Sequence, residues 1–290
     1  MIDRKRTHDL SPERVQEGNQ SWWTEHPMTY DWRGQIEAVR YSEAWFDAID
    51  AGHLHGLRLF ATDKQPFDLI MPLETLRGAR VLEIGCGMGL HTETMVRAGA
   101  DVTAVDLTAT AVEATIKRLE LKGLEAKVLQ IDAEQLPFDE GEFDFVWSWG
   151  VIHHSANTSR IVRNIARVLA PQGECRVMVY NRQGTSARLV LLKDHLLKGG
   201  FLKRTFEETL YAGTDGFSAR YYIAEQFEDL FRAFFRQVSS EICGLDVDVV
   251  PLPSRFRRIA VDLLPSSYLK QAQARRGGFI LLKAAKPDWK

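Results

Sequence analysis

The segment from residue 80 to residue 98 constrains the fold more than any other part of the chain. An apolar run at 80–84 stops at the glycine-rich sequence 85–89, and a helical pattern follows at 90–98. The apolar run predicts a buried strand. Glycines let the backbone turn sharply and approach a ligand, and the helix that follows presents unpaired N–H groups. This order predicts a unit that binds a nucleotide-like ligand.

The alternation of strands and helices continues along the chain after this unit. Further strands are predicted at 102–105, 127–130, 143–147 and 174–180, and further helices at 110–122 and 159–169. The sequence Pro171-Gln172-Gly173 is predicted to end the helix at 159–169 and to separate it from the strand at 174–180. Strands separated by helical patterns of this length predict βαβ units, and therefore an α/β fold with a doubly wound parallel sheet.

Less regular segments flank the predicted core, which we place at residues 76–183. Residues 1–75 predict an N-terminal helical cap or lid, and residues 184–222 an inserted cap with helical content. Residues 223–290 are expected to complete the sheet with a helix at 223–235 and strands at 238–244 and 279–284. They also contain a basic insertion at 251–276. Within the N-terminal cap, an amphipathic helix is predicted at 35–50, with one face formed by Ile36, Val39, Trp45, Phe46 and Ile49.

An acidic residue follows the glycine loop at an informative distance. Asp106 lies 21 residues after Gly85, at the predicted end of the next strand. A carboxylate at that position can accept the hydroxyl protons of a ribose. The dinucleotide fingerprint G-x-G-x-x-G/A requires a small residue at position 90, whereas this chain has Leu90 and instead has Gly89. Two classes of nucleotide-binding enzyme use this geometry, and the residue at position 90 disfavours one of them, the nicotinamide-dependent oxidoreductases.

With these motifs, the sequence resembles the class I S-adenosylmethionine-dependent methyltransferases. In particular it resembles the type 11 group, which includes the ubiquinone and menaquinone biosynthesis methyltransferases. The resemblance covers about residues 78–183 and rests on four segments: 81–89, 104–106, 132–138 and 143–154. It implies a Rossmann-like, seven-stranded and mostly parallel sheet. It also implies S-adenosyl-L-methionine as cofactor and S-adenosyl-L-homocysteine as product.

The resemblance assigns the methionine part of the cofactor to the glycine loop. It implies that the backbone of Gly85, Gly87 and Gly89 packs against this part of the ligand. Glu83 is expected close by, acting through water or backbone. Cys86 lies in the same loop, where we expect it to fill space and not to act as a nucleophile.

The resemblance assigns the nucleoside to the ends of the second and third strands. It implies that Asp106 holds the ribose diol and that Leu107 lines the adenine slot. Asp132 is expected to accept a hydrogen bond from the adenine amino group, and the N–H of Ala133 to meet a ring nitrogen. An Asp before a helix is also a common N-cap, so a structural role for Asp132 stays open.

The end of the fourth strand is expected to face the reacting groups. The resemblance places Ser148 and Trp149 beside the methionine end of the cofactor. His153 and His154 follow, and imidazole titrates near neutral pH, so one of them, with a weak preference for His153, is a candidate general base. Histidine pairs recur at this place in the family across different acceptors. A structural role therefore stays open.

Two further sets of residues are candidates for contact with the acceptor. Tyr180 and Arg182 follow the fifth strand, where they form either a substrate contact or a polar rim. Tyr30 and Trp32 belong to an aromatic N-terminal segment, 22–32, that is poorly suited to disorder. It is either a lid over the cofactor and acceptor or a helix packed on the core.

Charge and composition limit the classes of ligand and partner that the chain is expected to bind. The formal net charge of −2 argues against nucleic acid, so a small-molecule acceptor is favoured. The three cysteines form no C-x-x-C pair, so no metal site is expected. No signal-peptide core or transmembrane run is apparent, which favours a cytoplasmic protein.

The basic insertion at 251–276 is either a solvated face or a contact for an acidic carrier, a lipid phosphate or a partner chain. The oligomeric state stays open, with a homodimer as one expectation.

Together these features predict methyl transfer by in-line displacement. The acceptor atom would be oxygen, nitrogen or activated carbon, and the pathway one of secondary or envelope metabolism. The non-enzymatic alternative is a cofactor-binding partner protein that has lost catalysis.

Overall fold

The computed structural model describes residues 10–29, 31, 36–61, 66–252 and 254–288. An eight-stranded sheet forms its centre. In chain order, strands β1 to β8 span Arg80–Ile84, Asp101–Asp106, Lys127–Gln130, Phe143–Trp149, Leu169–Asn181, Tyr221–Tyr222, Phe235–Cys243 and Phe279–Pro287. Helices α1 to α10 span Pro12–Glu25, Glu43–Gly56, Leu90–Arg97, Ala109–Lys122, Thr158–Val168, Thr185–Val190, Phe206–Ala212, Ala224–Arg232, Ser254–Leu263 and Ser266–Arg276.

The strand order determines where a ligand can bind. Along the sheet it is β3-β2-β1-β4-β5-β8-β7, and the two-residue strand β6 pairs with β5 off this path. Strands β1 to β6 pair in parallel, whereas β8 is antiparallel to both β5 and β7. The order reverses between β1 and β4, so the crevice of a doubly wound fold is expected at their carboxyl ends. The predicted mostly parallel, doubly wound sheet is confirmed, with β6 added to the seven expected strands.

Helices cover both faces of this sheet and bury its apolar side chains. On one face, α5 contributes Ile161 and Ile165, and α8 contributes Phe227 and Phe231. On the other, Met95 of α3 packs with side chains from the segment 57–76. Both faces of β1 and β4 are therefore buried, which accounts for their nearly continuous apolar sequences.

Residues 171–173 lie within strand β5, whereas the sequence predicted that they separate a helix from a strand. Strand β5 begins at Leu169, which pairs with Phe143, and the register then shifts so that Phe145 pairs with Glu174. The segment between is an irregularity within one strand. Leu169 is fully buried in the core, so it holds the strand in place before Pro171. The predicted helix correspondingly ends one residue earlier, at Val168.

The amphipathic helix of the N-terminal cap was predicted too early in the chain. Helix α2 begins after Ser42, whose side chain accepts a hydrogen bond from the backbone N–H of Trp45. Trp45, Phe46 and Ile49 are buried as expected, but Val39 is 78% exposed and lies before the helix. A serine cap thus sets the start of the helix seven to eight residues later than the periodicity indicated.

The later segments contain the expected helices. Residues 185–212 form α6, a π-helical turn at Leu191–Leu197 and α7, and the basic insertion forms α9 and α10. None of the helices described in this structure is long and apolar enough to span a membrane.

Candidate active site

A crevice of about 630 Å³ opens at the carboxyl ends of β1, β2, β4 and β5. This is the position that the strand order predicts. Its size falls within the roughly 300–1,000 Å³ of small-molecule sites. The glycine loop and Asp106 line it from the core, while Gln16, Asn19 and Trp23 line it from α1. Core and N-terminal cap therefore enclose one site together.

The three loop glycines all have left-handed backbone, but they differ in their surroundings. Their φ angles are +85° at Gly85, +54° at Gly87 and +81° at Gly89. A Cβ on Gly85 would lie 2.2 Å from the Val151 side chain, and one on Gly89 would lie 3.1 Å from Thr115 Cα. A Cβ on Gly87 would meet nothing within 4 Å. Gly87 is thus open to a ligand, whereas Gly89 serves helix packing and does not line the crevice.

Asp106 joins the glycine loop to the end of β2. Its Oδ2 accepts a hydrogen bond from Gly87 N–H at 3.2 Å, and its Oδ1 accepts from the backbone and hydroxyl of Thr108, both at 2.9 Å. Burial raises the pKa of this carboxyl, while these hydrogen bonds act in the opposite direction. The carboxylate lines the crevice beside the open face of Gly87, where a ribose diol could reach it.

Leu107, Asp132 and Ala133 line the same end of the crevice. Asp132 caps the 3-10 turn that follows it, because its Oδ1 accepts from Glu134 N–H at 2.9 Å. The same oxygen accepts from Gln16 Nε2 at 2.9 Å. Both interpretations of Asp132 are therefore compatible with its position: it is an N-cap and it also faces the crevice.

Glu83, Ser148 and Cys86 are buried around the loop. Glu83 accepts a short hydrogen bond from Thr92 Oγ1, and burial raises its pKa to about 8 despite that bond. Ser148 Oγ donates to the carbonyl of Ile84 at 3.2 Å. Neither of these two side chains lines the crevice, so they support the loop from beneath, whereas Cys86 does line it.

The two histidines have different positions. His153 is fully buried, does not line the crevice, and neither ring nitrogen has a hydrogen-bond partner among the described residues. His154 lines the crevice, and its Nδ1 lies 2.6 Å from the carbonyl of Ser218. Because a carbonyl only accepts, Nδ1 carries the proton and Nε2 keeps a lone pair. The geometry therefore favours His154 over His153, which was weakly preferred from sequence.

Burial gives both histidines a depressed pKa. For His154 burial lowers the pKa to about 4, against a smaller raising effect of the Ser218 bond. For His153 burial, and then the neighbouring His154, hold the pKa well below its usual range. Both rings are consequently neutral near pH 7, and the Nε2 lone pair of His154 can accept a proton or a hydrogen bond from a ligand.

The candidate acceptor residues are only partly brought together. Tyr180 and Trp149 line the crevice. Arg182 does not: its guanidinium pairs with Glu207 at 2.9 Å and lies over the Phe206 ring, 4.9 Å from its centroid. Arg182 therefore links the end of β5 to α7 of the inserted cap, and it does not line the crevice as a substrate contact. The other two candidates, Tyr30 and Trp32, lie outside the described residues.

Several lining residues have no sequence motif and were not predicted. His53 and Asp50 come from α2, and His91 from α3. His91 Nδ1 accepts from Trp147 Nε1–H at 3.2 Å, which leaves the proton on Nε2. Asp50 forms an ion pair with the buried Arg118. Asp50 and His53 lie on a different helix from His91, and none of the three belongs to a motif, so the only signal for them is their packing in three dimensions.

Residues 82–177 match the family model described as a methyltransferase domain. The ubiquinone biosynthesis O-methyltransferase of Xanthomonas oryzae pv. oryzae is 35% identical over 135 residues, which is 46% of this chain and 56% of that protein. The corresponding enzyme of a Caulobacter species is 39% identical over 106 residues, 36% of this chain and 42% of that protein. The chain thus spans about half the length of the curated relatives it matches.

Solved structures share the fold over most of the chain. A phosphoethanolamine N-methyltransferase of Haemonchus contortus, with phosphomonomethylethanolamine and S-adenosylhomocysteine, gives a TM-score of 0.55 at 19% identity, covering 87% of this chain and 61% of that one. A methyltransferase in complex with the Trm112 activator of Haloferax volcanii gives 0.54 at 16%, with 87% and 100% covered. The [4+2]-cyclase SpnF gives 0.53 at 19%, with 94% and 96% covered. At these identities the likeness concerns the fold.

Proposed function

We propose that this chain, whose residues 82–177 match the family model described as a methyltransferase domain, transfers a methyl group from S-adenosylmethionine to a small-molecule acceptor. One observation carries the proposal: the carboxylate of Asp106 is hydrogen-bonded to Gly87 N–H beside a loop face that is open to the crevice. Secondary or envelope metabolism and a cytoplasmic location are part of this proposal.

The residues present fit the cofactor. Gly87 allows a ligand to approach the backbone because its open side holds no neighbouring atom within 4 Å. Asp106 would hold the ribose, since each carboxylate oxygen has more than one acceptor site. Leu107, Asp132 and Ala133 would hold the adenine at the neighbouring end of the crevice. When bound, the sulfonium supplies an already activated methyl group.

The work left for the chain is to position the acceptor and exclude water. Alignment of reacting groups can contribute on the order of 7–11 kcal/mol in favourable cases. Trp149 and Tyr180 provide the apolar walls of the crevice, and α1 covers it from the N-terminal side. His154 Nε2 would accept a hydrogen bond from an O–H or N–H group of the acceptor. An activated carbon acceptor would need the same alignment.

Calorimetry with three ligands tests the proposal. S-adenosylhomocysteine and S-adenosylmethionine are expected to bind, and NAD is not. Asp106→Asn is expected to weaken S-adenosylhomocysteine roughly 10- to 100-fold, because a hydrogen bond to a charged group contributes about 1.5–3 kcal/mol. Asp139→Asn, at an exposed loop position, is the matched control. NAD binding without S-adenosylhomocysteine binding would instead identify a nicotinamide enzyme.

A second proposal keeps the cofactor but not the methyl transfer. The likeness to the [4+2]-cyclase SpnF is the reason for this second proposal, because that protein has a similar fold and is named for a reaction other than methyl transfer. In that case the chain binds the cofactor without transferring its methyl group, either as a partner protein or with another reaction in the crevice. Transfer of an isotope-labelled methyl group to a panel of oxygen, nitrogen and carbon acceptors separates the two. Tight binding with no labelled product on any acceptor would favour the second.

The basic segment 251–276 is proposed as a contact for anionic lipid phosphate. Its α9 carries apolar side chains on the surface, with Ile259 61% and Leu263 79% exposed. An exposed apolar strip beside basic residues suits an anionic membrane surface, with an acidic carrier or a second copy in a homodimer as the other candidates. Sedimentation with phosphatidylglycerol vesicles, lost at high salt and absent with phosphatidylcholine, is expected. Dimer formation without vesicle binding would favour the homodimer.

A further inference from the structure

The described residues that line the crevice include acidic side chains but no lysine or arginine. Their formal charges are those of five aspartates: Asp50, Asp106, Asp132, Asp215 and Asp248. Asp50 pairs with Arg118 behind the lining. Asp106 and Asp132 lie at the proposed nucleoside end. Asp215 and Asp248 belong to later segments of the chain and have no role in the proposed cofactor site.

A row of four aromatic side chains lies beside these two aspartates. Strand pairing sets Tyr180 of β5 between Tyr221 of β6 and Phe279 of β8, and all three line the crevice. The ring centroid of Tyr180 lies 5.3 Å from that of Tyr221 and 6.1 Å from that of Phe279. Trp149 continues the row, 6.0 Å from Phe279. Aromatic faces attract cations, at about 0.5–2 kcal/mol for each well-placed ring.

Asp248 is held firmly in the crevice lining, against Gly278, the chain neighbour of Phe279. Its Oδ2 accepts from Leu245 N–H at 2.9 Å, and its Oδ1 accepts from Ser186 Oγ at 3.1 Å. The backbone packs closely around it, since a Cβ on Gly278 would lie 2.8 Å from Oδ2. Burial raises its pKa, and Arg257, outside the lining, lowers it. Its carboxylate therefore keeps one orientation toward the crevice.

Both aspartates act on the same ring. The pKa of Tyr221 is raised first by burial, and further by the fields of Asp215 and Asp248, against a lowering hydrogen bond to Thr214. Asp215 also lies near His154, because its neighbour Gly216 is so close that a Cβ there would lie 2.7 Å from His154 Nδ1. The aromatic row, the two carboxylates and His154 thus share one region of the crevice.

His154 adds an independent sign that a ligand binds there. The side chain lies in the crevice lining and is only 5% exposed, and its Nε2 has no hydrogen-bond partner among the described residues. With the proton on Nδ1, this nitrogen needs an N–H or O–H donor. A buried polar atom without a partner costs about 1–3 kcal/mol, so a ligand that donates to it gains that amount.

We propose that the acceptor carries a cationic N–H group, such as an ammonium, that binds among the aromatic row, Asp215, Asp248 and His154 Nε2. This inference rests on the proposed function, since it names the acceptor class of the same crevice. The group satisfies three features together: ring faces, carboxylate charge and an unpaired acceptor. A carboxylate or phosphate in that position would meet the like charges of Asp215 and Asp248, and the described part of the lining has no lysine or arginine to attract it.

A series of probes with one carbon skeleton tests this on the full chain saturated with S-adenosylhomocysteine. The probes are 3-phenylpropylammonium, 3-phenylpropan-1-ol and 3-phenylpropionate, which differ only in the charge of the end group. We expect the ammonium to bind about tenfold more tightly than the alcohol. We expect no binding of the carboxylate at millimolar concentration. Equal affinity for all three, or a preference for the carboxylate, overturns the proposal.

Charge-removing variants locate the effect. Asp248→Asn and Asp215→Asn are each expected to reduce the preference for the ammonium over the alcohol to about twofold, while the alcohol itself binds as before. Asp229→Asn removes a surface carboxylate on α8 and is expected to keep the full preference. If Asp248→Asn is unfolded by circular dichroism, the probe series on the unmodified chain still decides.

The cofactor arm of the experiment separates the two hypotheses. If S-adenosylhomocysteine does not bind at all, the proposed function fails. If it binds but the ammonium has no advantage, only the inferred acceptor class fails. If Asp248→Asn weakens S-adenosylhomocysteine and leaves the probe preference intact, the carboxylate serves the amino group of the cofactor, and the inference is wrong.

Discussion

Gly85 and Gly87 have similar backbone but different tasks. We predict that Gly85→Ala lowers the free energy of unfolding by about 3 kcal/mol or more. The left-handed backbone costs roughly 1–2 kcal/mol, and the new methyl group would press on Val151. Gly87→Ala is expected to cost only the backbone term but to weaken S-adenosylhomocysteine binding. Urea unfolding and calorimetry measure both, and equal destabilisation would contradict the packing argument.

The ring of His154 gives a pH-dependent contribution to stability. Its pKa in the folded state is about 4, below the usual value of 6.5, because burial disfavours the charged form. The unfolded state therefore binds more protons between pH 6.5 and 4, and stability is lost as the pH falls through this range. The ring contributes no such loss above about pH 6.5.

His154→Gln is expected to remove this loss. Relative to the variant, the free energy of unfolding of the unmodified chain is predicted to fall by about 2 kcal/mol between pH 7.5 and pH 5. Urea midpoints at the two pH values measure the difference. The comparison cancels other titrating groups, such as Glu83, whose raised pKa acts in the opposite sense. If the free energies of unfolding of the variant and the unmodified chain differ by the same amount at both pH values, the ring of His154 is accessible to water.

Among the elements, α1 joins the two ends of the crevice. Near the proposed nucleoside end, Gln20 Nε2 donates to the carbonyl of Leu107 at 3.1 Å. At the other end, Asn19 Nδ2 donates to the carbonyl of His154 at 2.6 Å and its Oδ1 accepts from Ser218 N–H at 3.3 Å. The helix therefore contacts the core and the inserted cap at the same time.

This arrangement supports the lid interpretation of the N-terminal cap, and a deletion tests it. Removal of residues 1–32 is predicted to weaken S-adenosylhomocysteine at least tenfold while the remaining chain stays folded, because α1 contributes few core side chains. Asn19→Ala is expected to reproduce part of the loss, and Glu17→Ala, at an exposed position two residues earlier on the same helix, none of it. A stable truncated chain with full affinity would rule out the lid.

Across the whole molecule, Arg118 links the N-terminal cap to the core. It is 1% exposed and forms ion pairs with Asp50 of α2 and Glu93 of α3, the latter at 2.7 Å. It also donates to the carbonyl of Met88 in the glycine loop at 3.1 Å. One side chain on α4 thus fixes the positions of two helices and the loop that lines the crevice.

Arg118→Met is predicted to destabilise the chain by about 3–5 kcal/mol, because it leaves two partly buried carboxylates without their cation. Lys117→Met is the matched control: it removes a charge from the next, exposed residue of the same helix and is expected to change stability by less than about 0.5 kcal/mol. Chemical unfolding of both variants provides the measurement. Similar small losses would show that Asp50 and Glu93 find water instead.

The sequence by itself determined the core of the fold, because its signals are local. The strand, glycine loop and helix at 80–97 depend on backbone freedom and periodicity within a few residues, as does the distance from Gly85 to Asp106. The sequence patterns predicted the start of α2 too early in the chain and the start of β5 too late. In those cases a serine cap and the burial of Leu169 decided the boundary.

Only the tertiary structure decided which side chains meet in the crevice. His153 and His154 are equivalent in sequence, but the carbonyl of Ser218 orients His154 and the core encloses His153. Asp248 reaches the crevice through strand pairing and packing between segments that no motif connects. Such contacts join residues tens to hundreds of positions apart, and their free energy depends on the folded geometry, so local sequence carries no signal for them.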